Sequence, residues 1–310
     1  MKQRVISGVV IAVLVVVLGL VGNSYPLAIV MMACGMIGFA ELCRACGVAG
    51  ADGADAGGAG AGVSDAGGTG SGVSGGMNSL VKTGMLMTAA YYAGLVLIQY
   101  FDSADMQVMF HRANLLTMVM IVLTFLVIMS LYVLTFPKFE AGQVMAAYFS
   151  FIYAPVMLSF VYRARLLPYG VFVYILIFLC SSVCDVCALA AGMIFGKHKM
   201  APVLSPKKTV EGAIGGVIGS VASCLLVSFI VGYVDPQAHL QVPFMVIGLA
   251  GALVSMLGDL AASAIKRNRG IKDYGDLIPG HGGIMDRFDS IIFTAPLIFF
   301  TGALLLGIAA

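Results

Sequence analysis

The sequence predicts an all-α integral membrane protein that crosses the bilayer many times. Of its 310 residues, 60% are hydrophobic and only 10% are charged, and the mean hydropathy is +1.02. A soluble domain carries about 25% charged residues. Apolar runs of about 20 residues, enough to cross the hydrocarbon core at 1.5 Å per residue, recur along the chain. This composition excludes an ordinary soluble enzyme.

Nine apolar runs are candidates for transmembrane helices. The first follows the basic start Met1 to Arg4 and superficially resembles a signal peptide. It has no Ala-x-Ala-like cleavage site, and a short turn from Gly22 to Ser24 leads into a second run, so we expect it to be retained as a span. The predicted spans are residues 5–22, 25–42, 83–100, 115–136, 142–162, 171–195, 212–233, 243–265 and 290–309.

Composition divides the chain into two regions, an N-terminal set of helices at 1–165 and a C-terminal catalytic region at 166–310. Within the first, residues 47–76 are mostly Gly, Ala and Ser, with three Asp and almost no large apolar side chains. Such a segment cannot bury enough surface to offset its chain entropy. We therefore predict a disordered loop without a catalytic role.

The basic residues predict the orientation in the membrane. With the N-terminus in the cytoplasm, only Arg112, Arg163 and Arg165 of the 17 Lys and Arg residues lie in outer segments, which leaves 14 inside. Cytoplasmic segments of membrane proteins are enriched in Lys and Arg. The two long polar loops, 196–211 and 266–289, are then expected to face the cytoplasm.

Cysteines offer a metal site as one interpretation. Cys43 and Cys46, and likewise Cys184 and Cys187, have the spacing found in zinc and redox sites. Most of the seven cysteines lie in apolar runs, where a thiol behaves as a small hydrophobic side chain. No polar scaffold surrounds either pair, so we expect ordinary packed thiols.

Carboxylates inside predicted spans point to a functional site. Asp185 lies in the sixth span and Asp259 in the eighth, and an ionisable residue within a membrane is costly and usually functional. Asp259, Ser263 and Lys266 are spaced at i, i+4 and i+7, so they share one helix face that leads into the second polar loop.

Two further carboxylates, Asp286 and Asp289, share a face at the start of the last span. We expect Asp259 and Asp286 to bind a hard cation such as Mg²⁺, with Asp185 or Asp289 in support. A simpler interpretation of Asp289 is a carboxylate favoured by the dipole at a helix N-terminus.

Both polar loops combine cations with residues that bind phosphate. In the first, Ser205, Lys208 and Thr209 offer phosphate contacts and Glu211 lies in the first turn of the next helix, although the spacing of a P-loop is absent. A loop that binds lipid headgroups is the alternative. In the second, glycines flank His281 and let the backbone approach a ligand.

The run from Ser263 to Asp289 resembles the signature of the phosphatidate cytidylyltransferases. That signature is S-x-aliphatic-K-R, four residues, K-D-x-G, an aliphatic residue and Pro, then H-G-G-aliphatic-x-D-R-aliphatic/aromatic-D. Every specified position is present: Ser263, Ile265, Lys266, Arg267, Lys272, Asp273, Gly275, Ile278, Pro279, His281, Gly282, Gly283, Ile284, Asp286, Arg287, Phe288 and Asp289. The segment from Gly258 to Leu260, and the loop from Ser205 to Gly212 with Asp185 before it, also resemble the family.

The resemblance implies a reaction of CTP with phosphatidate that gives CDP-diacylglycerol and pyrophosphate and requires Mg²⁺. It also allows a second cation and implies a homodimer in a lipid membrane, with no nucleic-acid partner. The expected catalytic residues are Asp259, Lys266, Arg267, Lys272, Asp273, His281, Asp286, Arg287 and Asp289. The expected substrate-binding residues are Ser205, Lys208, Thr209, Glu211, Ser263, Gly282 and Gly283. Since the attacking phosphate is already ionised, we expect His281 to contact phosphate or shape the turn rather than act as a base.

Two other functions remain open on the sequence. A related enzyme that uses CTP to phosphorylate a polyprenol would release CDP instead of pyrophosphate. An ion-coupled transporter would also place carboxylates within spans, but it is expected to have paired repeats with broken helices. No such repeat is visible in the sequence.

Overall fold

The computed structural model describes residues 17–19, 24–48, 78–237, 239–275, 277 and 282–307. Within them are eight helical segments that are long and apolar enough to cross a membrane. The protein is therefore an all-α, multi-pass membrane protein, as predicted. The predicted first span at 5–22 and the 47–76 loop lie almost entirely outside the described residues, so both stay predictions.

The eight segments match the last eight predicted spans one to one. One of them, Ala141–Arg165, consists of two helices joined by the π-helical turn Ile152–Val156. The helices are α1 (Tyr25–Ala45), α2 (Ser79–Asp102), α3 (Met106–Leu134), α4 (Ala141–Phe151), α5 (Met157–Arg165), α6 (Gly170–Phe195), α7 (Val210–Val234), α8 (Gln241–Asn268) and α9 (Met285–Leu305).

A short β-hairpin lies between α6 and α7, where the sequence indicated only a polar loop. Its strands are β1 (Lys199–Ala201) and β2 (Ser205–Thr209), which run antiparallel. Thr209 then caps α7, since its hydroxyl accepts a hydrogen bond from the N–H of Gly212 at 3.1 Å. The hairpin is thereby fixed directly to the start of a transmembrane helix.

Glycines bring the helices of the C-terminal region into backbone contact. A Cβ at Gly212 would lie 2.7 Å from the carbonyl oxygen of Ala188, and one at Gly216 would lie 2.9 Å from that of Cys184. Gly215 and Gly219 likewise leave no room for a side chain against α6. Small residues allow this close approach of transmembrane helices. These glycines therefore pack α7 on α6 of the same chain.

Arg163 lies inside a helix, although the sequence placed it beyond the predicted span at 142–162. It is buried in α5, where its guanidinium donates to Thr117 Oγ1 at 3.2 Å and Asn114 Oδ1 at 2.5 Å. The rings of Phe160 and Phe299 lie 4.7 and 4.5 Å from its guanidinium carbon. Hydrogen bonds and two cation–π contacts offset the cost of burying this charge.

Candidate active site

An open cavity of about 470 Å³ lies between the hairpin and helices α6, α7 and α8. Its polar lining combines two carboxylates from helices with hydroxyl and ammonium groups from the hairpin, and its apolar lining includes three methionines. The polar lining residues are Asp185, Ser205, Lys207, Lys208, Thr209 and Asp259. The cavity thus brings together residues that the sequence assigned to one site from three separate segments.

Lys208 and Asp259 form an ion pair across this cavity. Asp185 on α6 is an electrostatic neighbour of both, repelled by Asp259 and attracted by Lys208. The hairpin therefore supplies the cation that faces two carboxylates within the membrane. This arrangement agrees with the expectation that carboxylates inside spans are paired or line a polar cavity.

Glu211 holds the hairpin in place. Its carboxylate accepts hydrogen bonds from the backbone N–H of Lys197 at 3.1 Å and of His198 at 3.2 Å, and it pairs with His198 Nδ1 at 2.6 Å. Glu211 was predicted to bind substrate. In this structure its oxygens instead contact the residues that lead into β1, so a direct substrate contact stays a prediction.

The close packing of α8 and α9 brings Asp289 near Asp259. A Cβ at Gly258 would lie 2.8 Å from the carbonyl oxygen of Asp289, so the two helices nearly touch at this point. The Asp289 side chain interacts electrostatically with Asp259, Asp185 and Lys266. Three carboxylates from three helices therefore share one electrostatic environment.

Asp286 organises the loop that precedes α9. Its Oδ1 receives a hydrogen bond from Lys266 Nζ at 2.8 Å, and its Oδ2 accepts from the backbone N–H of Tyr274 at 2.8 Å and of Gly283 at 3.0 Å. The Asp286 side chain is only 5% exposed. Gly282 adopts φ +80°, a left-handed conformation that favours glycine. Because both carboxylate oxygens are engaged, the predicted role of Asp286 as a metal ligand stays a prediction.

Tyr274 fixes the same loop to α8. Its hydroxyl donates to the carbonyl oxygen of Ala262 at 3.0 Å, and Lys266 Nζ lies 5.3 Å from the centre of its ring. Burial raises the pKa of the Tyr274 phenol, so it stays a neutral hydrogen-bond donor. Tyr274 and Asp286 together hold Lys266 in place.

Most of the remaining predicted residues in and around the second loop are exposed. Ser263 is half-buried on α8 between Asp259 and Lys266, on the face that the sequence predicted. The exposed members are Arg267, Lys272, Asp273 and Arg287, and His281 lies outside the described residues. The structure therefore brings Lys266 and the carboxylates together and leaves the other cations on the polar surface.

Glu41 is a site residue that the sequence analysis missed. This carboxylate of α1 is 3% exposed and accepts hydrogen bonds from the backbone N–H of Ile284 at 3.0 Å and of Met285 at 2.9 Å. Gly275 and Gly283 pack so closely on it that neither has room for a Cβ. The signal was present, because Glu41 is a carboxylate within the second predicted span, as Asp185 and Asp259 are in theirs.

The carboxylates suit a hard divalent cation, although they do not form a complete protein shell. Across the described ranges, no three His, Cys, Asp or Glu side chains converge closely enough to hold a metal ion on their own. Mg²⁺ usually takes one or two carboxylates and completes its octahedron with water and substrate phosphates. Asp259, Asp185 and Asp289 are oxygen donors of this kind, so their chemistry fits a cation that binds with a nucleotide.

Comparison with known proteins finds a matching family model and several named relatives. The family model described as "Cytidylyltransferase family" matches residues 76–305. The chain is 43% identical over 141 residues to a phosphatidate cytidylyltransferase of Synechocystis sp., covering 46% of each protein. It is 36% identical over 174 residues to one of Staphylococcus saprophyticus, covering 56% of this chain and 64% of that protein. It is 42% identical over 124 residues to one of Rickettsia bellii, covering 39% and 54%.

These alignments span less than two thirds of the length of each of the three relatives. The family model, in contrast, extends over most of the chain, from before α2 to the end of α9. It includes the hairpin, the three aspartates that share one electrostatic environment, and the loop held by Asp286. The chain therefore belongs to the cytidylyltransferase family.

Proposed function

We propose that this protein is a phosphatidate cytidylyltransferase. It transfers the CMP moiety of CTP to phosphatidate, with formation of CDP-diacylglycerol and release of pyrophosphate. The observation that carries this proposal is the cavity in which Lys208 of the hairpin faces Asp259 and Asp185 within the membrane-spanning region. The names of the relatives and the sequence signature support the same reaction.

The residues supply what this reaction needs most, which is neutralisation of charge. An oxygen of the phosphatidate phosphate attacks the α-phosphorus of CTP, and pyrophosphate leaves from the opposite side. Both reactants are anions, and the nucleophile is already ionised, so positioned positive charge contributes more than a general base. Lys207 and Lys208 would hold phosphate oxygens from the hairpin side, with Ser205 donating from the same strand.

Cations in and around the second loop would hold the phosphates from the opposite side. They are Lys266 and the exposed Arg267, Lys272 and Arg287. Binding of the triphosphate there would draw Lys266 from Asp286, or would add a phosphate oxygen as a second acceptor for the same ammonium group. The contact between Lys266 and Asp286 keeps the ammonium pointed towards the site before the substrate arrives.

Mg²⁺ is part of the proposal, and so is a second cation. When bound, Mg²⁺ would neutralise phosphate charge and polarise the reacting phosphoryl group. Asp259 is the leading ligand because it lines the cavity, with Asp185 and Asp289 in support. Asp286 would become a ligand only after exchanging one of its present donors.

Orientation and assembly complete the proposal. We place the N-terminus and both polar loops in the cytoplasm, where CTP is available, with the acyl chains of phosphatidate between the helices. Labelling of cysteines introduced at Lys138 and Arg112 with a membrane-impermeant maleimide in intact cells tests this orientation, and only the cysteine at Arg112 should react. We also propose a homodimer, which mass photometry in nanodiscs would measure.

A turnover assay with purified protein in liposomes tests the reaction. It contains CTP labelled on the α-phosphate, phosphatidate and Mg²⁺. Label in chloroform-soluble lipid, with release of pyrophosphate and loss of both products in EDTA, is the expected result. Label that stays in water-soluble CDP when a polyprenol is the acceptor would identify a kinase instead. No consumption of CTP by folded protein would reject both.

A further inference from the structure

The hydroxyl of Tyr153 is a buried polar group with no hydrogen-bond partner among the described residues. Tyr153 lies in the π-helical turn between α4 and α5 and is only 6% exposed. An unpaired buried hydroxyl costs free energy, and such groups in native proteins usually bind water, an ion or a ligand. The π-helical turn is a second indication, because these turns often occur at functional sites.

The Tyr153 side chain lies against the carboxylate site. Its ring meets Phe293 of α9 edge-on, with ring centres 5.9 Å apart, and Phe293 in turn packs beside Gly258 on α8. Asp289 lies one turn before Phe293, on the same face of α9. Tyr153 interacts electrostatically with Asp289 and with Tyr274. The N-terminal region therefore contributes a side chain to a site that the sequence placed entirely in the C-terminal region.

The depth of Tyr153 in the membrane suits a ligand at this site. Tyr153 is about 18 Å along the helix from the start of α4, and Asp259 is about 14 Å from the end of α8, at 1.5 Å per residue. Alternating spans put both helix ends on one side of the membrane, the side where Glu41 meets Met285. Tyr153 and Asp259 thus lie at similar depths from that side of the membrane.

The neighbouring groups indicate which ligand chemistry suits the Tyr153 hydroxyl. The Tyr274 hydroxyl is satisfied by Ala262, and one oxygen of Asp289 accepts from the N–H of Ser290 at 2.8 Å. Of the two phenols at this site, only Tyr153 has a donor to spare. A neutral hydroxyl beside carboxylates suits an incoming anion, because it donates a hydrogen bond without adding negative charge. Another carboxylate at this position would repel the anion.

We propose that the Tyr153 hydroxyl donates a hydrogen bond to a phosphate oxygen of a substrate bound beside Asp289. The proposal rests on the proposed function and adds a binding residue from the N-terminal region to it. The phosphate belongs either to the lipid substrate or to the nucleotide. The two sources share this chemistry, and separate measurements with each substrate distinguish them.

Replacement of Tyr153 by Phe removes the hydroxyl and keeps the ring contact with Phe293. We expect kcat/KM to fall about tenfold or more for the substrate whose phosphate is bound, since hydrogen bonds to charged groups are the strong ones. The thermal midpoint should stay unchanged or rise, because the substitution removes an unpaired buried hydroxyl. A fall in the midpoint, with unchanged kinetic constants, would identify a purely structural hydroxyl and overturn the proposal.

Binding measured without turnover separates this proposal from the proposed function. Titration of CTP with Mg²⁺ but without phosphatidate, and of phosphatidate in nanodiscs with Mg²⁺ but without CTP, reports each ligand's affinity for the native and Tyr153→Phe proteins. Weaker phosphatidate binding assigns the lipid phosphate, and weaker CTP binding assigns the nucleotide. Equal affinities and equal kinetic constants would overturn the proposal and leave water as the partner. A native protein that binds both ligands but does not turn over would reject the proposed function alone.

Tyr148→Phe is the matched control. Tyr148 lies on α4, and its hydroxyl donates to the carbonyl oxygen of Ile121 at 3.3 Å, away from the carboxylate site. The same loss of one hydroxyl should leave kcat/KM for both substrates unchanged. An equal kinetic loss in the two variants would show that the effect of Tyr153→Phe is not local, and would also overturn the proposal.

Discussion

Glu41 accepts a hydrogen bond from the backbone N–H of Met285 at 2.9 Å, so α1 holds the N-terminus of α9. The same carboxylate accepts the N–H of Ile284 at 3.0 Å, which places negative charge at the positive end of the α9 dipole. Arg269, directly after α8, also interacts with the thiol of Cys46, directly after α1. The loop before α9 is therefore fixed by the N-terminal region, across the predicted division at residue 165.

Glu41→Gln is expected to lower turnover more than it lowers stability. A glutamine offers one acceptor oxygen in place of two and turns an N–H₂ group towards a backbone donor, so one end of the cap is lost. We expect kcat to fall about tenfold and trypsin to cleave faster within residues 266–287. The thermal midpoint, measured with a thiol-reactive fluorophore because the chain has seven cysteines and no Trp, should fall by only a few degrees.

Glu140→Gln is the control for Glu41. Glu140 is the N-cap residue that precedes α4 and forms a capping box there, and it is exposed, so it also caps a helix but is not part of the loop before α9. Its substitution should leave turnover and cleavage of the loop unchanged. Full activity in Glu41→Gln, with the loop still protected, would reject the role assigned to this carboxylate.

The helices could be predicted from the sequence because each is a long apolar run, and hydropathy depends on composition alone. The pairing of Asp259 with a cation could be anticipated in kind, since a carboxylate inside a span needs a partner. The partner itself, Lys208, could not, because the hairpin that carries it depends on the contacts of Glu211 with His198. Local sequence does not encode which helix end a loop folds back upon.

Asp259→Asn is expected to reduce turnover at least a hundredfold at saturating Mg²⁺. The amide keeps the shape of the side chain but removes the charge that faces Lys208 and that would bind the cation. Steady-state turnover over a range of Mg²⁺ concentrations measures the effect. Turnover that is fully restored at high Mg²⁺ would indicate weakened affinity only, and turnover equal to that of the native protein would exclude Asp259 as a ligand.

Asp102→Asn provides the comparison for Asp259. Asp102 also forms an ion pair, with Arg112 at 2.7 Å, but it lies at the end of α2, away from the cavity. Removal of its charge should leave turnover and its Mg²⁺ dependence unchanged. Loss of activity in both variants to the same degree would point to a general effect of net charge on the protein.

Substitutions in the pair formed by Lys266 and Asp286 are expected to affect the thermal midpoint and turnover differently. Asp286→Asn leaves the mostly buried ammonium of Lys266 without its anion, and breaking such a pair costs about 3 kcal/mol. The double variant Lys266→Met with Asp286→Asn removes both charges, so it should recover much of the thermal midpoint. Turnover should stay low in the double variant, because the ammonium that would hold phosphate is absent.

Thermal midpoints and turnover of the two single variants and the double variant complete this cycle. If the pair serves only the fold, activity will return together with stability in the double variant. If Asp286→Asn instead has a native midpoint and only turnover is lost, then the carboxylate acts on the substrate or cation rather than through Lys266 and the loop.

The glycines and the buried polar groups mark the limit of prediction from sequence. Gly258 precedes Asp259 in the sequence, but only the packing of α8 on α9 reveals that its missing side chain admits the backbone of Asp289. Tyr153 falls within the predicted span at 142–162, and its environment is set by a π-helical turn and by Phe293 on α9, which the sequence does not indicate. Such contacts arise from tertiary packing and leave no periodic pattern.

Gly258→Ala is expected to reduce turnover because it moves Asp259 and Asp289 apart without replacing either residue. The new Cβ would lie 2.8 Å from the carbonyl oxygen of Asp289 and 3.1 Å from Cβ of Phe293, so α8 and α9 must move apart. Gly142→Ala is the control, because a Cβ there meets nothing within 4 Å. We expect kcat to fall about tenfold for Gly258→Ala and to stay native for Gly142→Ala. Native turnover in both variants would mean that the spacing of Asp259 and Asp289 does not limit the reaction.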